Sequence, residues 1–179
     1  MRKKFPIENN NRLNISFFTE DVLKVAPGLL GKYLTVRQTD GSLLRYIITE
    51  TEAYRGTDDK ACHASKGETR RNSVMFKRGG LVYVYLIYGM YWMFNVVTGS
   101  EKDPQAVLIR GVEGFNGPGR LTKALGIDGS FYGEDLVSSE RIWIEEGVNN
   151  FTFTSLPRIG IDYAGEPWIS KPWRFLIKR

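Results

Sequence analysis

The stretch LVYVYLIYGMYWMFNVV, residues 81–97, is the most apolar part of the chain. Its side chains alternate with a period of two on both sides of Tyr88-Gly89, which predicts two antiparallel strands joined by a tight turn at that dipeptide. A membrane-spanning helix is the alternative interpretation, but such a helix needs about 20 apolar residues. Gly89 and Asn95 inside the stretch also argue against a span, so we expect a buried hairpin.

This hairpin carries four of the nine tyrosines of the chain, which are Tyr83, Tyr85, Tyr88 and Tyr91. A side chain that only fills a core needs no hydroxyl, whereas each buried phenol needs a hydrogen-bond partner. A tyrosine at the tip of a turn also contributes little to a core. We therefore expect the tyrosines to serve a function, while the valines between them form the core.

The length of 179 residues is typical of one domain. We expect residues 1–16 to form a loose N-terminal arm and residues 17–179 to form the domain. The basic start of the chain has no continuous apolar segment of the kind that signal peptides contain. An intracellular protein is therefore expected, cytoplasmic in a prokaryote and nuclear otherwise.

Cys62 is the only cysteine and His63 the only histidine. A single cysteine cannot form an internal disulfide, and a zinc site usually needs four protein ligands, or three and a water. The zinc-dependent deaminases that act on bases need a Cys-x-x-Cys pair, which this chain cannot supply. We therefore expect no metal and no cofactor.

The net charge of +5 and the sequence pI of about 9.3 favour an acidic partner. Many of the cations lie in KGETRRNSVMFKRGG, residues 66–80, directly before the tyrosine hairpin. A cluster of cations is often only a solvated surface. Beside aromatic side chains, however, it forms the combination that holds nucleic acid, because cations bind phosphates and flat rings stack on bases.

Alternating apolar residues predict further strands, most of which follow one another as hairpins. The predicted strands are 32–38, 43–54, 105–113, 141–147 and 172–179. The polar segment 55–80 predicts a long ordered loop, and a loop of that length tends to be functional. The chain is therefore predicted to be a single compact α+β domain, with a mostly antiparallel curved β-sheet, a protruding β-hairpin and a few peripheral helices.

Two helices are expected beside this sheet. Thr19 is the predicted N-cap of the first, which Pro27 bends and Gly31 ends. The second is a short helix within residues 117–127. Its inward-facing residues are expected to be Leu121, Ala124 and Leu125.

Two carboxylates occur close together in the strand YIITETEAY, residues 46–54. If the strand is regular, one face presents Ile48, Glu50, Glu52 and Tyr54. Like charges two residues apart repel, so at least one of the carboxylates needs hydrogen-bond donors or a proton. A solvated edge strand and a catalytic carboxylate are both compatible with this pattern. The lone His63 is compatible with a structural or a catalytic role.

Five blocks of sequence, in this order, resemble the alkyladenine (3-methylpurine) DNA glycosylases. The blocks are ETEAYRGTDDKACHA, RNSVMFKRGGLVYVYLIYGMYWMFNVV, AVLIRGVE, GPGRLTKALGI and PRIGIDYAGEPW with KPWRF. The similarity extends from about residue 17 to residue 179. Five blocks in family order are far more specific than a single short motif.

The resemblance implies a monofunctional DNA glycosylase that acts on duplex DNA containing damaged purines and starts base excision repair. It implies that an alkylated or deaminated purine is flipped out of the duplex and its N-glycosidic bond hydrolysed. The implied substrates include 3-methyladenine and 7-methylguanine, while hypoxanthine and ethenoadenine stay open. No lyase activity is expected, and a monomer is expected. A non-enzymatic basic aromatic module that binds nucleic acid and an inactive glycosylase-like protein are the alternatives.

The resemblance also implies roles for individual residues. Glu52 matches the carboxylate that activates the attacking water, and Arg110 matches an arginine near that water and the backbone of the flipped nucleotide. The residues implied to hold the flipped base are Tyr54, His63 and Tyr85, which stack around it, and Asn95, which screens the amino group of guanine. The residues implied to contact DNA are Tyr88, which enters the duplex, Met90 and Tyr91 at the hairpin tip, and the pair Arg71 and Asn72.

Overall fold

The computed structural model describes residues 11–178, which form one antiparallel, strongly curved β-sheet with short helices packed against it. Its strands are β1 (Tyr33–Arg37), β2 (Leu43–Arg55), β3 (Val82–Ile87), β4 (Tyr91–Thr98), β5 (Gln105–Val112), β6 (Phe115–Asn116), β7 (Ile142–Glu145), β8 (Phe153–Leu156) and β9 (Arg174–Ile177). The main path runs β3-β4-β5-β2-β1-β7. Strand β6 pairs with β5, and β9 pairs with both β2 and β8. The predicted α+β class and antiparallel sheet are confirmed, while β6 and β8 were not predicted.

A short helix that was not predicted, α1 (Ile15–Phe18), precedes the first predicted helix, which is α2 (Val22–Gly28). The expectation that Thr19 caps this helix is wrong, because Thr19 lies at the C-terminal end of α1. Asp21 caps α2 instead, since its carboxylate accepts a hydrogen bond from the backbone of Leu23 and is fixed by an ion pair with Arg55. Pro27 lies in the last turn, and α2 ends one residue later.

The described part of the N-terminal segment is packed against the sheet. Leu13 is buried, and its backbone N–H donates to the carbonyl of Ile144 in β7. The Arg12 guanidinium donates to the carbonyls of Val137 and Ser139. The loose arm predicted for residues 1–16 therefore does not extend over residues 11–16, and residues 1–10 lie outside the described part of the chain.

The third helix, α3 (Pro118–Leu125), covers the end of β4. Leu121 and Leu125 are buried as predicted, but Ala124 is only partly buried. Thr122 is buried in its place, because its hydroxyl donates to the carbonyl of Trp92 in β4 and so satisfies its polar group. The apolar pattern alone could not indicate that a threonine faces inward.

Strands β2 and β5 are not regular where they pair. Ile48 pairs with Val112 and Glu50 with Gly111, so Thr49 has no partner residue. The register shifts again before Thr51, and Arg110 is the unpaired residue there. Such β-bulges turn side chains to a new direction.

The bulges correct the expected face of β2. Ile48 belongs to the hydrophobic core, together with Ala53, and not to the face that carries Glu52 and Tyr54. The regular alternation assumed for residues 48–54 is broken at Thr49, so residues on its two sides change faces.

The hairpin predicted from residues 81–97 is formed by β3 and β4 in antiparallel register. Tyr88 and Gly89 both have positive φ, 50° and 68°, as at the central positions of a type I′ turn, and the N–H of Met90 donates to the carbonyl of Ile87. Val82 and Val84 face the core, whereas Tyr83 and Tyr85 belong to the opposite face. Within residues 11–178, no helix is long and apolar enough to cross a membrane.

Candidate active site

The tyrosine face of the hairpin forms one wall of a cavity of about 510 Å³. The other walls come from β2, β5, the loop between β2 and β3, and the segment between β8 and β9. A cavity of this size is in the range of small-molecule sites. The sequence-predicted residues that line it are Tyr54, His63, Arg71, Tyr85, Tyr88, Asn95 and Arg110.

Glu52 lies behind this cavity and is fully buried. One carboxylate oxygen, Oε1, accepts a hydrogen bond of 2.8 Å from the backbone N–H of Ile159. The other, Oε2, accepts a hydrogen bond of 2.9 Å from the hydroxyl of Tyr54. A buried carboxylate whose two oxygens both accept hydrogen bonds has a fixed orientation.

Arg110 is shared between two carboxylates. Its Nη1 lies 3.5 Å from Oε1 of Glu52, and its Nε donates to Oε1 of Glu50 at 3.3 Å. The same oxygen of Glu50 accepts a hydrogen bond of 2.9 Å from Arg174 in β9. The bulge at Arg110 therefore directs a cation to both Glu50 and Glu52. The positive charge offsets the repulsion between these two carboxylates, which lie two residues apart in the sequence.

Burial raises the pKa of Glu52 above that of an exposed glutamate. The Arg110 charge, the Ile159 N–H and the Tyr54 hydroxyl act in the opposite direction, while the Glu50 charge adds to the rise. A carboxylate with a raised pKa is a stronger proton acceptor than an ordinary one as long as it is ionised. The site therefore provides a candidate general base.

The aromatic wall combines Tyr83, Tyr85 and His63. The His63 ring lies 4.6 Å from the Tyr85 ring between centroids, and its Nδ1 is 2.8 Å from the hydroxyl of the buried Tyr83. Although His63 is exposed as a residue, partial burial of its ring, together with the nearby Arg71 charge, lowers the pKa of His63. A neutral imidazole and phenol rings offer flat, uncharged faces on which a base can stack.

Asn95 is buried at the back of this wall and lines the cavity. Its amide nitrogen donates to the carbonyls of Tyr83 and Met93. Tyr54 closes the opposite side, and burial raises the pKa of its phenol well above the usual range. Both residues line the cavity, and their contact with a base stays a prediction.

The residues predicted to contact DNA separate into an exposed group and the buried Asn72. Tyr88, Met90 and Tyr91 are exposed at the hairpin tip, and Tyr88, with 85% of its surface exposed, also borders the cavity. Arg71 is exposed too, with its guanidinium 5.1 Å from the Tyr85 ring centroid.

Asn72 differs from its exposed neighbour Arg71, because its side chain is buried. Its amide donates to the carbonyls of His63 and Gly67, and its carbonyl accepts from the N–H of Thr69. The Asn72 side chain thus forms its hydrogen bonds with the backbone of the loop that carries His63.

Ile159 and Tyr163 are among the cavity residues that were not singled out from the sequence. Tyr163 is 71% exposed, and its hydroxyl donates to the carbonyl of Ala61. Both residues lie in the block PRIGIDYAGEP, where no acidic, basic or repeated pattern distinguishes them. The resemblance covered this block without implying a role for either.

The described residues offer little support for thiol or metal chemistry. Cys62 is buried, and burial raises the pKa of its thiol to about 12, so it is a neutral thiol near neutral pH. Across residues 11–178, no group of three or more His, Cys, Asp or Glu side chains is placed to hold a metal ion. Three residues that line the cavity, Tyr54, Arg110 and Ile159, contact the Glu52 carboxylate.

Comparison with known proteins identifies the family of the chain. The family model described as methylpurine-DNA glycosylase (MPG) matches residues 16–116 and 113–179. Relatives that carry the name "Putative 3-methyladenine DNA glycosylase" include one from Borreliella burgdorferi (strain ZS7), 46% identical over 90% of this chain and 94% of the relative. Others are from Clostridium botulinum, 43% identical over 93% and 95%, and Methanocella arvoryzae, 44% identical over 90% of each chain. The chain belongs to the methylpurine-DNA glycosylase family.

Proposed function

We propose that this protein is a monofunctional DNA glycosylase that removes alkylated or deaminated purines from duplex DNA, with Glu52 as the base that activates water. The observation that carries the proposal is the buried Glu52 carboxylate, held by Tyr54 and the Ile159 N–H behind an aromatic cavity. Release of the base leaves an abasic site, with which base excision repair begins.

Tyr88 is the proposed wedge that replaces the base in the stack. A base inside a duplex cannot reach Glu52, so it must be extruded, at a cost of a few kcal/mol. An aromatic ring that enters the gap offsets part of that cost, because stacking contributes roughly 1–3 kcal/mol per base. Tyr88 supports this role, since it is exposed at the tip of a hairpin and borders the cavity that would receive the base.

The proposed chemical step needs no covalent intermediate. Ionised Glu52 takes a proton from water, and the water oxygen forms a bond to C1′ of the sugar as the N-glycosidic bond breaks. The electron pair of that bond leaves with the purine, so a cationic N3- or N7-methylated purine departs as a neutral base. Glu52 also stabilises the positive charge that develops on the sugar, as carboxylates do in glycoside hydrolysis.

Selection of cationic purines is proposed to depend on the rings of Tyr54, His63 and Tyr85. A positively charged base stacked between electron-rich faces gains a cation–π attraction that an undamaged base lacks. A neutral lesion such as hypoxanthine must acquire a proton as it leaves, and an ionised Glu52 cannot provide it. We therefore propose methylated purines as the principal substrates, with 3-methyladenine and 7-methylguanine as examples.

The burial of Glu52 has a consequence for how water reaches it. The carboxylate is closed off by Tyr54 and Arg110, which lie between it and the cavity. The proposed mechanism therefore requires one of these side chains to move when the substrate binds. The contact of 3.5 Å between Arg110 and Glu52 is the longer of the two, so Arg110 is the proposed moving group.

The test uses duplexes that each carry one lesion, namely 3-methyladenine, 7-methylguanine, hypoxanthine or ethenoadenine, with an undamaged duplex as control. After incubation, abasic sites are revealed by heating with alkali. We expect strand breaks at methylated purines and none in the undamaged duplex. Binding without release of any base would contradict the proposal and favour a non-enzymatic DNA-binding protein.

A further inference from the structure

Arg158 and Asp59 form the one ion pair whose two side chains are both fully buried within residues 11–178. Arg158 Nη1 donates to Oδ2 of Asp59 at 2.6 Å, and its Nη2 donates to Oδ1 at 2.9 Å. Removing two charges from water is costly, and an apolar pair of similar volume often stabilises a fold as well or better. A role beyond stability is therefore worth identifying from the contacts of the pair.

The Arg158 guanidinium is tied to the strand that carries the proposed base. Its Nη1 also donates to the carbonyl of Ala53, the residue between Glu52 and Tyr54 in β2, at 3.0 Å. The cation lies 4.8 Å from the Tyr54 ring centroid and 5.0 Å from that of Trp173. One side of the Tyr54 ring is thus fixed by Arg158, while Tyr54 lines the cavity.

Asp59 connects the same pair to the loop that carries His63. Its two carboxylate oxygens accept hydrogen bonds of 3.1 Å from the N–H groups of Arg55 and Ala61. These bonds fix the start of the loop directly after β2. The ion pair therefore joins β2, this loop and the segment between β8 and β9.

Ile159, the residue after Arg158, connects the ion pair to the Glu52 carboxylate. The N–H of Ile159 donates to Oε1 of Glu52 at 2.8 Å. The side chain of Ile159 is 49% exposed, so its own packing does little to hold this peptide in place. This N–H belongs to the peptide bond between Ile159 and Arg158, whose side chain is buried and anchored by Asp59 and Ala53.

We propose that Arg158, anchored by Asp59, is a positioning residue for catalysis: it aims the Ile159 N–H at Glu52 and holds the Tyr54 ring against the cavity. This inference rests on the proposed role of Glu52 as the base. The alternative is that the pair only stabilises the fold, in which case its loss lowers the melting temperature without altering the site.

The two possibilities differ in the pH dependence of excision. Glu52 must be ionised, so the rate falls at acid pH as Glu52 takes up a proton. The N–H of Ile159 favours the ionised form, and a misdirected N–H raises the pKa of Glu52. The acid limb then moves to higher pH. The other titratable groups that face Glu52 are Glu50 and Tyr54 of β2, Arg110 of β5, Tyr85 of β3 and Tyr163.

The first variant replaces both charges, as Asp59→Asn with Arg158→Gln. Removing Arg158 alone would leave a buried, unpaired Asp59, which is strongly destabilising. For the double variant we expect a folded protein whose single-turnover excision of 7-methylguanine is slower by about 10- to 100-fold, as for a misplaced catalytic group. Its acid limb should lie at higher pH than that of the wild type.

Val36→Ala is the matched control, because Val36 is buried in β1 and does not line the cavity. It should lower the melting temperature while leaving the excision rate and the acid limb of the folded protein as in the wild type. A folded double variant that behaves like Val36→Ala, within about twofold in rate and with an unshifted acid limb, overturns the inference.

A second pair of variants tests the N–H itself. Ile159→Pro removes the donor, whereas Ile159→Ala removes the same side chain but keeps the N–H. The acid limb of Ile159→Pro should lie at higher pH than that of Ile159→Ala. Equal acid limbs contradict the inference even if the double variant does not fold.

Failure of this inference is separable from failure of the proposed function. If the wild type excises and Glu52→Gln does not, while the Arg158 and Ile159 variants leave the acid limb unchanged, only the positioning role is lost. If the wild type itself releases no methylated purine, the proposed function and this inference fail together.

Discussion

At the scale of single residues, Tyr88 has a conformation that its sequence does not favour. Its φ of 50° is left-handed, which costs a side chain with a Cβ roughly 1–2 kcal/mol. Glycine or asparagine would adopt this turn more easily, and the exposed ring gains nothing from burial. The proposed wedge function accounts for a strained, exposed tyrosine at the tip of a hairpin, whereas folding and packing do not.

Tyr88→Asn is therefore expected to keep or raise the melting temperature, because asparagine tolerates this φ, while removing the ring. Excision of 7-methylguanine from a fully paired duplex should fall by about tenfold or more, since about 1.4 kcal/mol or more of stacking is lost. The penalty should shrink when the lesion faces a mismatch, where the base is already partly unstacked. Single-turnover excision on both duplexes measures this.

Tyr88→Phe is the matched control, since it keeps the ring and removes only the hydroxyl. It should excise at close to the wild-type rate from both duplexes. Equal losses on paired and mismatched duplexes for Tyr88→Asn, together with a lower melting temperature, would instead assign Tyr88 a purely structural role.

Glu52 is also expected to lower the stability of the fold that contains it. Burial raises its folded-state pKa, so the folded protein takes up a proton at a pH where the unfolded chain has lost it. The cost of the ionised form is fully present above the folded pKa and is relieved as the pH falls through it. Glu52→Gln should therefore raise the melting temperature at neutral pH, by about 2–4 °C for each 1 kcal/mol.

This gain should decrease at acid pH, where Glu52 in the wild type becomes neutral. Thermal unfolding of both proteins across that range is the measurement. A Glu52→Gln protein that is less stable than the wild type at neutral pH would mean that the contacts to Arg110, Tyr54 and Ile159 outweigh the cost of burial.

At the scale of secondary-structure elements, the sequence predicts regular alternation well and its interruptions badly. The hairpin of β3 and β4 follows from residues 81–97 because every second residue changes face. The bulges at Thr49 and Arg110 break the alternation, and Gly111 beside Arg110 is the one local sign of them, since no glycine or proline lies at or beside Thr49. They depend on the pairing of β2 with β5, which no local pattern reveals, and they decide where Arg110 points.

Helix α3 supports the hairpin tip through the close approach of Gly119 to Tyr91. A Cβ at Gly119 would lie 2.8 Å from the Tyr91 ring, so Gly119→Ala must push that ring away. We expect the melting temperature to change little, because alanine favours the helix by up to about 1 kcal/mol over glycine and offsets the contact. Binding of lesion duplex should weaken about fivefold, or roughly 1 kcal/mol.

Gly28→Ala is the matched control for this prediction. It also replaces a helical glycine, but its Cβ would meet only Phe17, at 3.3 Å, and neither residue lines the cavity. Fluorescence anisotropy with labelled duplex measures both variants. Equal affinities for Gly119→Ala and Gly28→Ala would show that the position of Tyr91 does not matter for DNA binding.

At the scale of the whole molecule, the candidate site joins parts of the chain that are far apart in sequence. Arg110 and Ile159 both contact Glu52 only because β2, β5 and the segment before β9 meet. Residue types and the family resemblance identified Glu52 and Arg110, since a carboxylate and an arginine carry recognisable chemistry. A backbone N–H and the pairing of Arg158 with Asp59 have no signature in a single sequence.

The composition of the whole chain also predicts that excision needs no metal and leaves the DNA strand uncut. One histidine and one cysteine are too few for a typical zinc site, and no lysine lies beside Glu52 in the strand to form a Schiff base. Excision should therefore persist in EDTA, and product strands should stay intact until they are heated with alkali. Activity that is lost on chelation, or a covalent adduct trapped with borohydride, would contradict this prediction.

The central claim is that Glu52 performs the chemistry and is not needed to hold the DNA. Single-turnover release of 7-methylguanine by the wild type and by Glu52→Gln, with the affinity for the same duplex measured in parallel, tests it most directly. We predict that Glu52→Gln binds the duplex like the wild type but excises at least ~100-fold more slowly, the low end for loss of a general base. Excision by Glu52→Gln at close to the wild-type rate would contradict the claim, and Glu50 would then be the carboxylate to test.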